Sequence, residues 1–393
     1  MTHSYCIFSA LYLPNMGGIE KYTYNMAKAL VARGNKVTIV TSLLEGTKTS
    51  EVIEGIEIIR VPSFNLLNGR LPVSKPNKKF QNIKATLLKR KFDVVIVNTR
   101  FYLHSIFGMR FAKKINSLLL TIEHGTNYLT FNNTFLDILV KVYEHSITAV
   151  GKRYCKNYYG VSHLCNDWLK QFKIDAKGVL YNYIDIEEVE MIKSTPKISY
   201  RMLYNIPKDA IVVTFTGRLV KEKGILNLVD AIDKLYQENK NIYLMIAGEG
   251  NCQTVLEQIH NKNIILLGKL DFKHIIHLLS ESNIFCLPSV SEGFSLSILE
   301  AVACRCYIIT TEKVGAKELI CNDKYGTVIK NNDTQLIYES LKKVLTEKKM
   351  MEKSVDLSYN KLVKDFTGES LVDTLEKVVK ELENESANNN TSI

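Results

Sequence analysis

The 393-residue chain is 46% apolar and 23% charged, which excludes a disordered protein and leaves room for two or three globular domains. No apolar run approaches the ~18–20 residues of a membrane span, and the apolar start YCIFSALYLP lacks a basic flank and a cleavage site, so it reads as a first strand. The net charge of +10 lies wholly in the first half: residues 1–190 hold 25 Lys+Arg against 15 Asp+Glu, residues 191–393 hold 26 against 26.

Short apolar runs alternate with helical patterns along the chain. SYCIFSALYL, KVTIVTS, GIEIIRV, FDVVIVN and SLLLTIEH read as buried strands in the first half, with YTYNMAKALVARG as a helix closed by Gly34. AIVVTFTGR, NIYLMIAGEG, NIILLGK, NIFCLPS and CYIITTE repeat the strand pattern in the second half. GILNLVDAIDKLYQEN, DFKHIIHLLSES and SLSILEAVAC are the helices between them. Continuous apolar strands separated by helices predict parallel sheets covered on both faces. The fold class is therefore α/β, two Rossmann-like doubly wound domains over residues 1–190 and 191–365. A helix over 366–384 follows, with a possible return to the first domain, and a polar tail over 385–393 is expected to be disordered. Ligands of such sheets bind at strand carboxyl ends, so a cleft between two such domains is the expected site.

Taken in order, the strand-end loops carry the unusual residues. NMGGIEK places Gly17 and Gly18 at the start of the first helix, where backbone can approach an anion; a tight strand-to-helix turn explains them equally well. Residues 70–114 hold 12 basic residues and one acid, Asp93. They are either a solvated face or a surface for anionic lipid or a phosphorylated acceptor, at ~1 kcal/mol per basic residue near a membrane. Nucleic acid is not expected, because no recognition module accompanies them. TIEHGT puts His124 at a strand end, where a structural role is the ordinary reading. In TGRLVKEKG, Arg218 offers a planar fork and Lys223 a point charge, both suited to a diphosphate. AGEG and LGKL, with Gly248 and Leu270, are glycine loops that leave room for a base or ribose. In SEGFSLSILE, Gly293 permits a sharp turn and the helix opens near Ser295, so the N–H groups of Leu296 and Ser297 can hold a phosphate. Glu292 precedes that helix and Glu300 lies about one turn inside it, placed to bind sugar hydroxyls on either side of a diphosphate. A loop acid and a dipole-favoured helix residue are the plain alternatives.

The eight cysteines form no Cys-x-x-Cys pair and read as reduced thiols of a cytosolic protein; Cys304 and Cys306 lack a second ligand pair for a metal.

The ordered set of GGIEK, EHG, YNYID (Asn182, Asp185), GRLVKEKG and the Glu–seven residues–Glu of SEGFSLSILEA resembles the retaining glycosyltransferases of family 4, bacterial surface-polysaccharide type, over residues 5–330. The resemblance implies the GT-B architecture and transfer of a sugar from a nucleotide-diphosphate donor, a UDP-sugar, to a glycan acceptor. That acceptor would be lipid-linked, in lipopolysaccharide or capsule synthesis at the inner face of the cytoplasmic membrane. It implies no cofactor and no metal; an Asp-x-Asp motif is absent from the sequence. By position, Arg218, Lys223, Gly17, Gly18, Leu296 and Ser297 would bind the donor diphosphate. Glu300, Gly248 and Leu270 would bind ribose and base. Glu292, Phe294 and Ser295 would bind the donor sugar, with Glu292 and His124 as the catalytic residues. Arg305 and Tyr307 depart from the glycine and proline usual in the family, which alters the turn after the motif helix. A nucleotide-sugar epimerase of the same fold, and a non-catalytic partner subunit, are the competing expectations.

Overall fold

The computed structural model describes residues 2–66, 71–130, 133–196, 198–238 and 241–391. The chain divides into two compact units: residues 1–182 with 368–393, and residues 183–367.

Among the described residues the first unit is built on nine strands: β1 (Ser4–Phe8), β2 (Lys36–Leu43), β3 (Ser50–Ile53), β4 (Ile56–Leu66), β5 (Leu71–Ser74), β6 (Val94–Asn98), β7 (Leu118–Glu123), β8 (Tyr158–Gly160) and β9 (Gly178–Val179). The sheet runs β3-β4-β2-β1-β6-β7-β8-β9, and β5 pairs with β4. β3 and β5 run antiparallel to β4; every other pairing is parallel. The VVIVN of β6 is buried along its whole length, as a strand covered on both faces requires. Helix Leu103–Ile115 packs on it, and Thr23 of helix Gly18–Ala32 meets its last residue, Asn98. The strand order reverses between β1 and β6.

The described residues of the second unit form six strands: β10 (Ile211–Thr216), β11 (Ile242–Ala247), β12 (Ile264–Gly268), β13 (Ile284–Leu287), β14 (Tyr307–Thr311) and β15 (Thr327–Ile329). They are all parallel, in the order β12-β11-β10-β13-β14-β15. This is the doubly wound order whose reversal point lies between its first and fourth strands, here β10 and β13. Helix Ile225–Glu238 buries Ile225, Leu228, Val229, Ile232 and Leu235, the stripe that a 3.6-residue period dictates.

Parallel α/β sheets in two units agree with the expected fold class. The division falls after Asn182 rather than near residue 190. Helix Ile186–Ser194 and its cap are held on the second unit, where His277 Nε2 lies 3.2 Å from the Ile192 carbonyl. The last helix, Gly368–Thr391, belongs to the first unit, where Asp373 pairs with Arg33 at 2.8 Å and Glu385 with Lys177 at 2.8 Å. The tail expected to be disordered from 385 is thus helical to Thr391, anchored by that Glu385 pair; Ser392 and Ile393 lie outside the described residues.

Candidate active site

In the second unit the reversal of strand order brings the loops after β10 and β13 together. Val290 N donates to the Glu222 carbonyl at 2.9 Å, and Ser289 Oγ to the same oxygen at 3.1 Å. Gly224 ends the first loop at φ +71°, and a Cβ there would collide with the Pro288 carbonyl, so the two loops can join this closely only at a glycine. The loop after β14 secures the other side: Glu292 N donates to Lys313 O at 3.1 Å and Gly315 N to Glu292 O at 3.0 Å.

These ties place the Lys223 ammonium against the Glu292 carboxylate in an ion pair, each side chain 17% exposed. Two groups far apart in the sequence thus meet at one point. Burial first, then the neighbouring Arg218 guanidinium, push the Lys223 ammonium down to about 7. The Glu292 carboxylate acts the other way, favouring the charged form. Arg218 itself is exposed.

Helix Leu296–Ala303 begins beside Glu292. Its N-cap, Ser295, makes no side-chain cap bond, and the ladder starts with Ile298 N donating to Ser295 O at 3.2 Å. The N–H groups of Leu296 and Ser297 precede that first bond and carry the positive end of the helix. Glu300 is half-buried one turn further in.

Other expected donor contacts are placed differently. The Phe294 ring is 7% exposed and packs on Phe366 with centroids 5.4 Å apart, so its side chain anchors the loop. Ser295 is likewise buried. Gly248 has its own structural reason: a Cβ there would meet the Gly217 carbonyl, so its missing side chain makes room for that backbone. Leu270 follows β12 at the edge of the sheet and packs against the cluster containing Ile206, Met245 and Ile265. Arg305 takes the left-handed conformation at φ +60°, where glycine would be easiest. Its guanidinium pairs with Asp356 at 2.8 Å and lies 3.9 Å from the Tyr359 ring centroid, contacts that offset the strain.

In the first unit, Gly17 and Gly18 are exposed at the start of helix Gly18–Ala32. The Gly17 N–H is already taken by Glu20 Oε2 at 2.9 Å, and burial raises the Glu20 carboxyl above its usual range. An anion at this turn would therefore have to meet a carboxylate. Of the expected phosphate ligands, the two glycines are the least favourably placed.

His124 sits at the carboxyl end of β7 with its Nε2 3.0 Å from Asn98 Oδ1, at the end of β6. Tyr22 meets the imidazole edge-on at 4.7 Å. Burial pushes His124 down to about 3, so the ring is neutral at physiological pH. The hydrogen-bond chain fixes its tautomer. Thr23 has one hydroxyl proton, which goes to Ile19 O at 2.8 Å in preference to Ser9 Oγ at 3.4 Å. It therefore accepts from Asn98 Nδ2 at 2.7 Å, which turns the Asn98 carbonyl oxygen to His124. His124 carries its proton on Nε2 and presents Nδ1 as an acceptor.

The loop bearing His124 rests on a buried cluster that the sequence pattern does not single out. Glu123 Oε1 accepts from the backbone N–H groups of His124 (3.1 Å) and Gly125 (2.9 Å). Its Oε2 accepts from Arg100 at 2.6 Å. Arg100 also binds Glu144 at 2.7 Å and stacks 3.7 Å from the Phe172 ring centroid; all three charged groups are essentially inaccessible. The basic stretch 70–114, expected as a surface, thus includes a core residue: Arg100 is buried because two buried carboxylates hold it. Arg70 of that stretch lies outside the described residues, and Arg90 pairs with Glu57 at 2.6 Å. Only the Glu123–His124 adjacency hints at this cluster in the sequence.

Residues 16–188 match Glycosyltransferase Family 4, and residues 198–361 match Glycosyl transferases group 1. The chain is a glycosyltransferase of the GT-B type. Over 390 residues it is 25% identical to an uncharacterized glycosyltransferase, MJ1069, of Methanocaldococcus jannaschii, covering 96% of this chain and 98% of that one. It is 22% identical to a subunit of the human phosphatidylinositol N-acetylglucosaminyltransferase, over 96% of this chain and 76% of the relative. It is 25% identical to the putative teichuronic acid biosynthesis glycosyltransferase TuaC of Bacillus subtilis, over 74% and 72%. Among solved structures, Anabaena Alr3699/HepE in complex with UDP-glucose shares the fold at a TM-score of 0.71 and 16% identity, over 96% of this chain and 100% of the other. In this GT-B glycosyltransferase, the second-unit reversal point with Lys223 and Glu292 lies within the group 1 match, and His124 within the Family 4 match.

Proposed function

We propose that this glycosyltransferase moves a sugar from a UDP-sugar to a lipid-linked glycan, with retained anomeric configuration, in bacterial surface-polysaccharide synthesis. The observation that carries the donor half of this reading is the Lys223–Glu292 pair beside an uncapped helix start at the reversal point of the second sheet. A diphosphate there would displace the Glu292 carboxylate from the ammonium. It would meet Lys223, Arg218 and the N–H groups of Leu296 and Ser297, a cationic set that can act without a metal. Glu292, released, would accept hydrogen bonds from the donor sugar, and Glu300 from the ribose. On the first unit, neutral His124 would accept a sugar hydroxyl at Nδ1.

In the step proposed, the bond from the anomeric carbon to the diphosphate oxygen breaks as the acceptor oxygen bonds to the same carbon on the same face. The acceptor proton goes to the leaving diphosphate. Preorganised cations around that leaving group are the main source of rate, and one lost donor costs on the order of 100–1000-fold. The UDP-glucose of the Anabaena complex supports the choice of donor, and the names of the human and Bacillus relatives support a lipid or polysaccharide acceptor.

Thermal unfolding of the purified protein against UDP, GDP, ADP and their sugars tests the donor. A ligand at ~100 times its dissociation constant stabilises the native state by ~2.7 kcal/mol. A shift with UDP and one UDP-sugar supports the reading. Turnover of that sugar without an acceptor to a free epimer would replace it with the epimerase reading. No shift with any nucleotide would sink the donor assignment.

A further inference from the structure

We propose that Phe366 is a positioning residue of the second unit, setting the Glu292 carboxylate against the Lys223 ammonium through the Phe294 ring. The loop that carries Glu292 is held at two places. On one side the Glu292 backbone bridges to the segment around Val314, giving its N–H to Lys313 O and accepting from Gly315 N. On the other, the Phe294 ring packs on Phe366 with centroids 5.4 Å apart and planes at 30°. Gly293 stands between the two holds, and glycine has the widest choice of backbone torsions. The direction of the Glu292 side chain therefore depends on where residue 294 is anchored as well as on the bridge.

Phe366 is a firm base for that ring. It is the C-cap of helix Lys348–Asp365, its N–H donates to Leu362 O at 2.9 Å, and it is 1% exposed. Helix Lys348–Asp365 in turn packs on Leu296–Ala303, the helix that the Glu292 loop opens. The Phe366 carbonyl accepts from Ile184 N at 3.4 Å. The second unit begins at Tyr183 and ends at Thr367, so Ile184 and Phe366 each stand one residue inside its limits. The residue that seats the Glu292 loop thus also joins the points at which the chain enters and leaves the unit. Packing alone would be met by any large apolar side chain. The case for positioning is that the supported ring lies two residues after the carboxylate and immediately before Ser295, the N-cap of the uncapped helix start. The consequence for transfer rests on the donor reading above, but the positioning itself does not.

The test is the titration of Lys223 in the full chain without ligand, followed by carbon-13 NMR of ε-labelled lysine and assigned with Lys223→Arg. Arg218 is common to every other protein compared, so differences among them report Glu292. Losing an adjacent carboxylate lowers the pKa of an ammonium. Glu292→Gln removes that attraction entirely, and Phe366→Leu should remove part of it. Moving a carboxylate from ~4 to ~8 Å halves its pull, so Lys223 should titrate lower than in wild type by about half the Glu292→Gln shift. Phe294→Leu, which takes away the other ring, should do the same, and it serves if Phe366→Leu does not fold. In Glu292→Gln/Phe366→Leu, Lys223 should titrate as in Glu292→Gln alone. A merely structural Phe366 would lower the unfolding temperature and leave this titration in place. Folded Phe366→Leu or Phe294→Leu with the wild-type titration would overturn the proposal. So would a shift that persists undiminished on the Glu292→Gln background, which would assign the effect to water reaching Lys223. The titration uses no nucleotide, so failure of UDP to shift thermal unfolding sinks the donor reading alone, and the two failures are read separately.

Discussion

Replacing Glu292 by Gln should move the pH at which UDP binding weakens, and move it toward acid. Lys223 is pressed toward neutrality by burial and by Arg218, and a carboxylate in contact with it, Glu292, favours the charged form. A unit-charge pair at ~4 Å with an effective dielectric near ~20 is worth ~4 kcal/mol. Each side chain keeps 17% exposure, so about half of that is a fair share, equivalent to ~1–2 pKa units. A bound diphosphate favours the ammonium. Affinity is therefore flat between the second pKa of the terminal phosphate, about 6, and the Lys223 pKa, and falls as pH rises above the latter, by about tenfold per unit while one proton is taken up. In the variant that fall should begin ~1–2 units lower than in wild type. Below it, the variant should bind UDP at least as tightly, because no carboxylate competes for Lys223. Turnover should nonetheless drop by on the order of 100–1000-fold, since Glu292 also holds the donor sugar.

Isothermal titration of UDP from pH 5.5 to 8.5, in two buffers of different ionisation enthalpy, reads both affinity and proton uptake. Coincident pH profiles for wild type and Glu292→Gln, or a fall displaced toward alkali, would refute the coupling of Lys223 to Glu292. A variant with full turnover would refute the role given to Glu292.

Lys223→Ala should weaken UDP binding and reduce transfer by on the order of 100-fold or more while leaving thermal unfolding near wild type, checked by titration and product assay. Nitrogen-15 NMR of His124 should report a neutral ring protonated on Nε2 from pH 5 to 8, because burial holds its pKa near 3; a transition in that window would contradict the assignment. Asn98→Ala should lower kcat and populate the other tautomer in the same spectrum. Arg100→Met should cost ~3–5 kcal/mol in denaturant unfolding, because Glu123 and Glu144 are left buried without a cation. Burial already raises Glu144, and the variant raises it further. A carboxyl raised in the folded state is protonated there before it is in the unfolded chain. Stability is thus lost as pH rises through that window, and the deficit of Arg100→Met should shrink toward pH 4. EDTA should leave transfer unchanged if Arg218, Lys223 and the helix start neutralise the diphosphate.

The strands and the reversal-point loops were legible because each is written locally. VVIVN, IVVTFT and IFCL are apolar runs that only a sheet covered on both faces can use, and the polar loops after them identify the carboxyl ends. Lys223 and Glu292 could each be named as a site candidate for the same reason, since both follow such strands. Their direct contact was not legible, because it depends on β10 and β13 being neighbours. The structural duties of these residues were not legible either: Gly248 faces the Gly217 carbonyl, Gly17 gives its N–H to Glu20, and the Phe294 ring packs on Phe366. The Arg100 cluster was hidden by distance, its partners standing 23 and 44 residues away, and a basic run does not reveal which member is buried.

That cluster gives the first unit a single mechanical logic. Arg100 leaves the end of β6, binds Glu123 at the end of β7, and binds Glu144 on the helix that follows. Glu123 in turn holds the backbone of His124 and Gly125, and Glu144 holds that of Leu129. The imidazole is thus aimed from below by charge-assisted bonds to its main chain, and from the side by Asn98. The same guanidinium fixes the inner face of helix Thr134–Gly151. Burying three charges is weak evidence for stability, since apolar replacements of similar volume are often as stable. What the apolar replacements lack is direction: they cannot accept the N–H groups of His124, Gly125 and Leu129. The physical case for the triad is therefore positional. It sets the histidine loop and the outward-facing helix from one buried point, so a change that loosens Arg100 should disturb both together.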